Sequence, residues 1–243
     1  MSDPLLDSPR ALIAKVAAVL GGSEVEHELL SGYVNSRFDP FLNQLFATDR
    51  VPLREAAAAL EGHPGFVWLT GQPDASEADA DLSVAVMHGM TASTGGAIGP
   101  SAGGNELVEV RSQKELRQWY AVYSEVFGAH ARGGDDWSRI NHALGPDGDG
   151  SLLLVLARCN GSPAATGAVY LAEDAAGLYC FTTREPMRGR GLALALLRAC
   201  HAAARARGIE RALLQATPMA RPVYAKAGYE EERQLPVLVL RNR

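Results

Sequence analysis

The segment Arg188-Gly189-Arg190-Gly191-Leu192-Ala193 constrains this chain more than any other, because it joins a strand-like run, residues 177–183, to a long Ala/Leu-rich helix. Two glycines at a strand-to-helix junction let the backbone approach a ligand closely. The unpaired N–H groups of the helix's first turn then face that ligand with the positive end of the helix dipole. A phosphate or pyrophosphate is the expected occupant, although six residues alone also fit a tight turn with solvated arginines. The loop is not a P-loop, since no Lys follows Gly191, and it is not a dinucleotide fingerprint, since Leu194 stands where a third glycine belongs.

The elements around the segment follow from periodicity and punctuation. Residues 107–110 read as a strand, and Ser112-Gln113-Lys114-Glu115 is a capping box that opens a helix bearing Leu116, Trp119, Tyr123 and Phe127. A second helix, capped by Asp135 or Asp136, buries Ile140 and Leu144 and ends in Gly145-Pro146-Asp147-Gly148. Strands are expected over 152–157, 164–171 and 178–183, with a turn at Asn160-Gly161. The motif helix should run from about 191 to 207, burying Leu192, Leu196, Ala199 and Ala203, and stop at Gly208. A strand over 211–215, a short helix over 220–227 and a strand over 237–240 complete this half.

The spacing Arg188-x-x-Gly191-x-Ala193 resembles the (Q/R)-x-x-G-x-(G/A) motif of the GNAT superfamily of acyltransferases, and the order β-α-α-β-β-β-α-β-α-β is that superfamily's order. The stretch from Leu213 to Tyr229, with Tyr224-x-x-x-Gly228-Tyr229, is similar to the superfamily's last motif. The resemblance implies an α/β (α+β) fold with a mixed central sheet flanked by helices, and a catalytic domain over 106–243. Acetyl-CoA is the implied acyl donor. Arg188, Gly189, Arg190, Gly191, Leu192 and Ala193 would hold its pyrophosphate, and Phe181, Thr182 and Thr183 would lie beside the pantetheine arm. An N–H near Phe181 would polarise the thioester carbonyl. Tyr224 would be the general acid that protonates the departing thiolate. The implied reaction is N-acyl transfer, most simply acetylation of a small-molecule or peptide amine, and a homodimer is compatible with it. A non-catalytic acyl-CoA-binding or regulatory module is the alternative.

A small-residue segment over 93–105, with five glycines and a proline, reads as a linker that divides the chain. Before it, helices are expected at 9–20, 24–30, 53–60 and 76–88, and strands at 33–37, 66–69 and 90–92. This half has no copy of the anion-binding motif. It resembles the degenerate first half of tandem-GNAT proteins, with Arg37-Phe38-Asp39-Pro40-Phe41-Leu42-Asn43 and Phe66-Val67-Trp68-Leu69 at typical positions.

Members of the superfamily with a side-chain base commonly place a Glu in the strand before the motif, but here Ala175-Ala176-Gly177-Leu178-Tyr179-Cys180 holds no carboxylate. Glu173 and Asp174 stand at the preceding turn, where they either act through water or simply solvate a hairpin. Trp119, Tyr123, Phe127 and Trp137 line the acceptor cleft or belong to the core. Cys159, Cys180 and Cys200 are odd in number and widely spaced, which fits reduced, buried thiols better than disulfides. His130, Asp135, Asp136 and His142 match no metal-ligand spacing, so no metal is expected. His27, His63, His88 and His201 are isolated in sequence.

The net charge of −5 is uneven: residues 1–105 hold 5 basic and 13 acidic side chains, and residues 106–243 hold 18 and 15. An acidic first half disfavours nucleic acid and favours a cationic amine, while the second half suits an anionic cofactor. With no run of eighteen apolar residues and no signal-peptide pattern after Met1, neither a membrane span nor export is expected, and the location is read as cytoplasmic.

Overall fold

The computed structural model describes residues 3–35, 37, 39–48, 50–71, 73, 83–98, 105–128 and 133–240. Helix α1 (Pro4–Leu20) starts at Asp3, whose carboxylate accepts from the Leu5 amide, and stops at Gly21 with φ +75°. Then come β1 (Ser23–His27), β2 (Leu30–Val34), a 3-10 turn at Pro40–Leu42, β3 (Gln44–Ala47), α2 (Leu53–Ala58), β4 (Gly65–Trp68) and β5 (Ser83–Ser93). The second half supplies β6 (Asn105–Glu109), α3 (Gln113–Phe127), α4 (Gly133–Leu144), β7 (Leu152–Cys159), β8 (Ser162–Leu171) and β9 (Ala176–Thr183). It ends with α5 (Leu192–Arg205), β10 (Arg211–Ala216), α6 (Arg221–Lys226) and β11 (Glu230–Leu240).

Among the described residues all eleven strands form one mixed sheet, in the order β1-β2-β3-β4-β11-β5-β10-β9-β8-β7-β6. Only β3–β4 and β9–β10 pair in parallel. The sheet runs through both halves because β5, from the first half, lies between β10 and β11 of the second. Alternate residues therefore feed two cores. Leu154, Leu156, Tyr170, Tyr179 and Leu213 face α1, α3 and α4, whereas Val155, Val169, Leu178, Leu214 and Met90 face α5 and α6. Leu45, Val67 and Leu238 pack with α2 at the far end.

Two expected helices are strands. Residues 24–30 form the β1–β2 hairpin, in which only Leu30 and Val34 are buried, so an apolar stripe wide enough for a helix is missing. Residues 83–88 of the expected 76–88 helix belong to β5, where strands on both sides complete the backbone hydrogen bonds; residues 76–82 lie outside the described residues. The capping box at Ser112 and Glu115 is formed. Asp135 and Asp136, by contrast, lie in the first turn of α4 and are not its caps, because that helix begins at Gly133. The buried face of α5 is also wider than expected, with Ala195, Leu197, Cys200, His201 and Ala204 joining Leu192 and Leu196. Ala199 and Ala203 sit half-buried at its margins. Contacts with β7, β8 and β9 demand that breadth.

The glycine-rich segment begins with firm anchors. Ser93 ends β5, buried Thr94 donates its hydroxyl to the Ile209 carbonyl at 2.8 Å, and the Ile98 carbonyl accepts from Arg198. Residues 99–104 lie outside the described residues.

Candidate active site

The central feature is a parting of two parallel strands. β9 and β10 pair only where Ala176 and Gly177 meet Ala212 and Leu213, and beyond that point they separate. A bulge in β9 sets what lines the opening: its register against β8 shifts between Thr166 and Ala168, and Cys180 takes φ +57°. Tyr179 and Cys180 consequently both enter the core beneath α1 and α3, and Phe181 turns to the α5 and α6 face. Gly167 stands opposite, where a Cβ would lie 3.1 Å from the Phe181 ring. The distortion is held by Thr166, whose hydroxyl donates to the Cys180 carbonyl at 2.9 Å and lies 2.7 Å from Thr182 Oγ1. Trp119 Nε1 donates to the Gly167 carbonyl at 3.2 Å.

The segment expected to cradle an anion follows directly. After a 3-10 turn at Glu185–Met187, Gly189 (φ +76°) and Gly191 (φ +72°) adopt the left-handed conformation, and Gly191 caps α5 without any side-chain hydrogen bond. A Cβ at Gly189 would meet nothing within 4 Å. The first-turn amides are thus left without a side-chain cap, which is the arrangement an anion requires. Arg188, Gly189 and Arg190 are exposed, and Gly191 and Ala193 are half-buried. The Leu192 side chain is core, so only its amide is available to a ligand. Arg188 Nε donates weakly to the Thr183 carbonyl at 3.4 Å, and Arg190 reaches Cys159 Sγ at 3.8 Å. Of the three strand residues, Phe181 and Thr183 are half-buried and Thr182 is buried with its hydroxyl on Thr166.

Tyr224 enters from α6. Its ring meets Phe181 edge-on at 6.3 Å between centroids and Tyr229 at 5.9 Å. Among the described residues its hydroxyl has no hydrogen-bond partner, while that of Tyr229 lies 2.6 Å from His201 Nε2. Burial pushes the Tyr224 phenol well above its ordinary range, which keeps its proton in place.

Residues 137–236 match the family model of the acetyltransferase (GNAT) domain. Those residues form a GNAT acetyltransferase domain. Similar solved structures span both halves. A GCN5-related N-acetyltransferase from Kribbella flavida, 18% identical, superposes with a TM-score of 0.66 over 97% of this chain and 96% of its own. A GCN5-related N-acetyltransferase-like protein from Streptococcus suis, 14% identical, gives 0.62 over 95% and 99%. A GCN5-related N-acetyltransferase from Sphaerobacter thermophilus, 16% identical, gives 0.59 over 99% and 95%. At these identities the likeness is one of fold. No curated protein matches the sequence significantly.

Around this GNAT domain the first half contributes more than its sequence suggests. Asp39, 2% exposed, accepts from the Tyr123 hydroxyl at 2.8 Å, from Trp137 Nε1 at 2.9 Å and from the Phe41 amide at 3.0 Å. Burial raises its carboxyl above the ordinary range, with those three bonds opposing. Trp119, Tyr123 and Trp137 are therefore core side chains around a buried carboxylate, and only Phe127, 53% exposed, borders solvent. Burial, with Asp39 nearby, drives the Cys180 thiol well above its usual range, so it is not a ready nucleophile. All three cysteines are free and buried. Among the described residues no group of His, Cys, Asp and Glu could hold a metal; Asp136 instead pairs with Arg37 at 3.2 Å, and His130 lies outside those residues.

A second cluster escaped the sequence reading. His88 Nδ1 lies 3.0 Å from Glu231 Oε1, and Arg221 Nε donates to Glu231 Oε2 at 2.5 Å. The β-branched Val84 and Val86 are a local hint of a strand, but nothing near His88 in sequence points to its partner Glu231.

Proposed function

We propose that the protein is an acyl-CoA-dependent N-acyltransferase, most simply an acetyl-CoA:amine N-acetyltransferase, that works by direct attack of a neutral amine on the bound thioester. The observation that carries the reading is the alignment of three features on one opening: the parted β9 and β10, the glycine-lined start of α5, and the unpartnered Tyr224 hydroxyl beside Phe181. The amides of residues 189–193 bind the pyrophosphate, with Arg188 and Arg190 adding charge. Backbone from 181 to 183 lies along the pantetheine, and the bulge turns an amide toward the thioester oxygen, where negative charge develops. Tyr224 gives its proton to the leaving thiolate; its raised phenol ensures that the proton is present throughout the physiological range.

Direct attack is favoured over an acyl-enzyme because Cys180, the nucleophile nearest the bulge, is held as a thiol. The test is thiol release from acetyl-CoA in the presence of primary amines, including spermidine, benzylamine and a lysine peptide. Amine-dependent release supports acyl transfer. Tight acetyl-CoA binding without turnover would instead mark a non-catalytic acyl-CoA-binding module.

A further inference from the structure

We propose that His88, on the strand that the first half inserts into the sheet, is the general base that takes the proton from the attacking amine, oriented by Glu231 and Arg221. The inference rests on the acyltransferase reading above and names the group that its chemistry still lacks, since β9 offers no carboxylate before the motif.

The placement comes from register. On β10, Ala212, Leu214 and Ala216 face the α5 and α6 side, and they pair with Ala92, Met90 and His88 of β5. His88 thus follows Met90 on the face that carries Phe181 and Tyr224. Its partner Ala216 ends β10 at the wide part of the opening, which puts the His88 backbone about 5 Å beyond that residue. No other histidine of the described residues stands on this row: His201 is sealed in the core against Tyr229, and His27, His63 and His142 lie on other elements.

The chemistry is ordered by two hydrogen bonds. Glu231, on β11, engages His88 Nδ1, which fixes the tautomer with Nε2 as the acceptor nitrogen. Among the described residues Nε2 has no partner. Arg221 holds the other Glu231 oxygen from α6, one turn before Tyr224, so base and acid are tied to the same short helix. The remaining strand partners of His88, Ala216 and Gln234, bring no charge. In the reaction the amine nitrogen forms its bond to the thioester carbon as an N–H proton passes to His88 Nε2. The carbon–sulfur bond breaks and the thiolate takes the Tyr224 proton. The imidazolium proton then returns through solvent to the Tyr224 phenolate, leaving amide and free coenzyme A.

The experiment compares wild type, His88→Ala and His88→Asn, whose amide can still donate to Glu231, in the thiol-release assay with the same amine panel. His88→Ala and His88→Asn should each lower kcat about a hundredfold, as loss of a general base does. Both should bind acetyl-CoA as wild type does, and added imidazole should restore part of the His88→Ala rate. Unchanged turnover in His88→Ala overturns the assignment. So does recovery of kcat in His88→Asn, which would make the cluster a clasp for α6, and so does loss of acetyl-CoA affinity without imidazole rescue. If wild type itself shows no amine-dependent release across the panel, the acyltransferase reading fails and the base fails with it; wild-type release that is indifferent to His88 overturns the base alone.

Discussion

Tyr224 presents its ring edge to Phe181 across 6.3 Å, and this contact joins the helix that bears the proposed acid to the bulged strand β9. The contact depends on Gly167, because a Cβ there would press on the Phe181 ring at 3.1 Å. Gly167→Ala should displace Phe181, lower kcat roughly tenfold and cost about 1–3 kcal/mol in stability as overpacking does. Steady-state kinetics paired with urea unfolding checks both parts.

Gly191 should be intolerant of substitution. At φ +72° any L side chain is strained by about 1–2 kcal/mol, and a charge there also faces the bound anion. Gly191→Glu is expected to abolish acetyl-CoA binding in calorimetric titration while far-UV dichroism stays that of wild type. Gly191→Ala should weaken binding by a smaller factor.

Asp39 ties the first half to α3 and α4. Asp39→Ala leaves the buried Tyr123 hydroxyl and Trp137 N–H without their acceptor, a loss of about 2–5 kcal/mol that urea unfolding would register. The pH dependence has a definite sign. The folded-state carboxyl is raised above its unfolded value, so its contribution is fully present below the unfolded value, about 3.9, and is lost as pH rises through the folded one. The stability difference between wild type and Asp39→Asn should therefore shift against wild type as pH rises from about 4; a difference that shifts the other way contradicts the description of this site.

Cys180 is predicted to be a bystander in the chemistry. Iodoacetamide at pH 8 should leave Cys180 unmodified in the folded protein, since that thiol is buried and held protonated. Cys180→Ala should keep turnover within a few-fold, and initial-rate patterns should intersect as for a ternary complex. Parallel lines, or an acetylated Cys180 found by mass spectrometry, would restore an acyl-enzyme.

Much of the second half was legible because its signals are local. The Ser112 capping box, the Asn160-Gly161 turn and the glycine turn that opens α5 each depend on a few residues of chain, and each is formed. The first half was read less well because its order comes from partners distant in sequence. β5 is a strand only because β10 and β11, more than a hundred residues later, lie on either side of it. The same reason hid Asp39 and His88. The donors to Asp39 sit on α3 and α4, and the partner of His88 is on β11, so neither residue shows a local pattern. Tyr224 could be singled out as a candidate because its spacing to Gly228 is short, whereas its packing on Phe181 could not be read.

The most direct test of acyl transfer with Tyr224 as the acid is the Tyr224→Phe variant, assayed for amine-dependent kcat and for acetyl-CoA affinity. In Tyr224→Phe kcat should fall by about a hundredfold, the scale of a lost general acid, with the acetyl-CoA Kd unchanged, because the proposed role of the phenol is at the leaving sulfur and not at the pyrophosphate. Turnover equal to wild type, at any pH below the ordinary tyrosine range, would contradict that role.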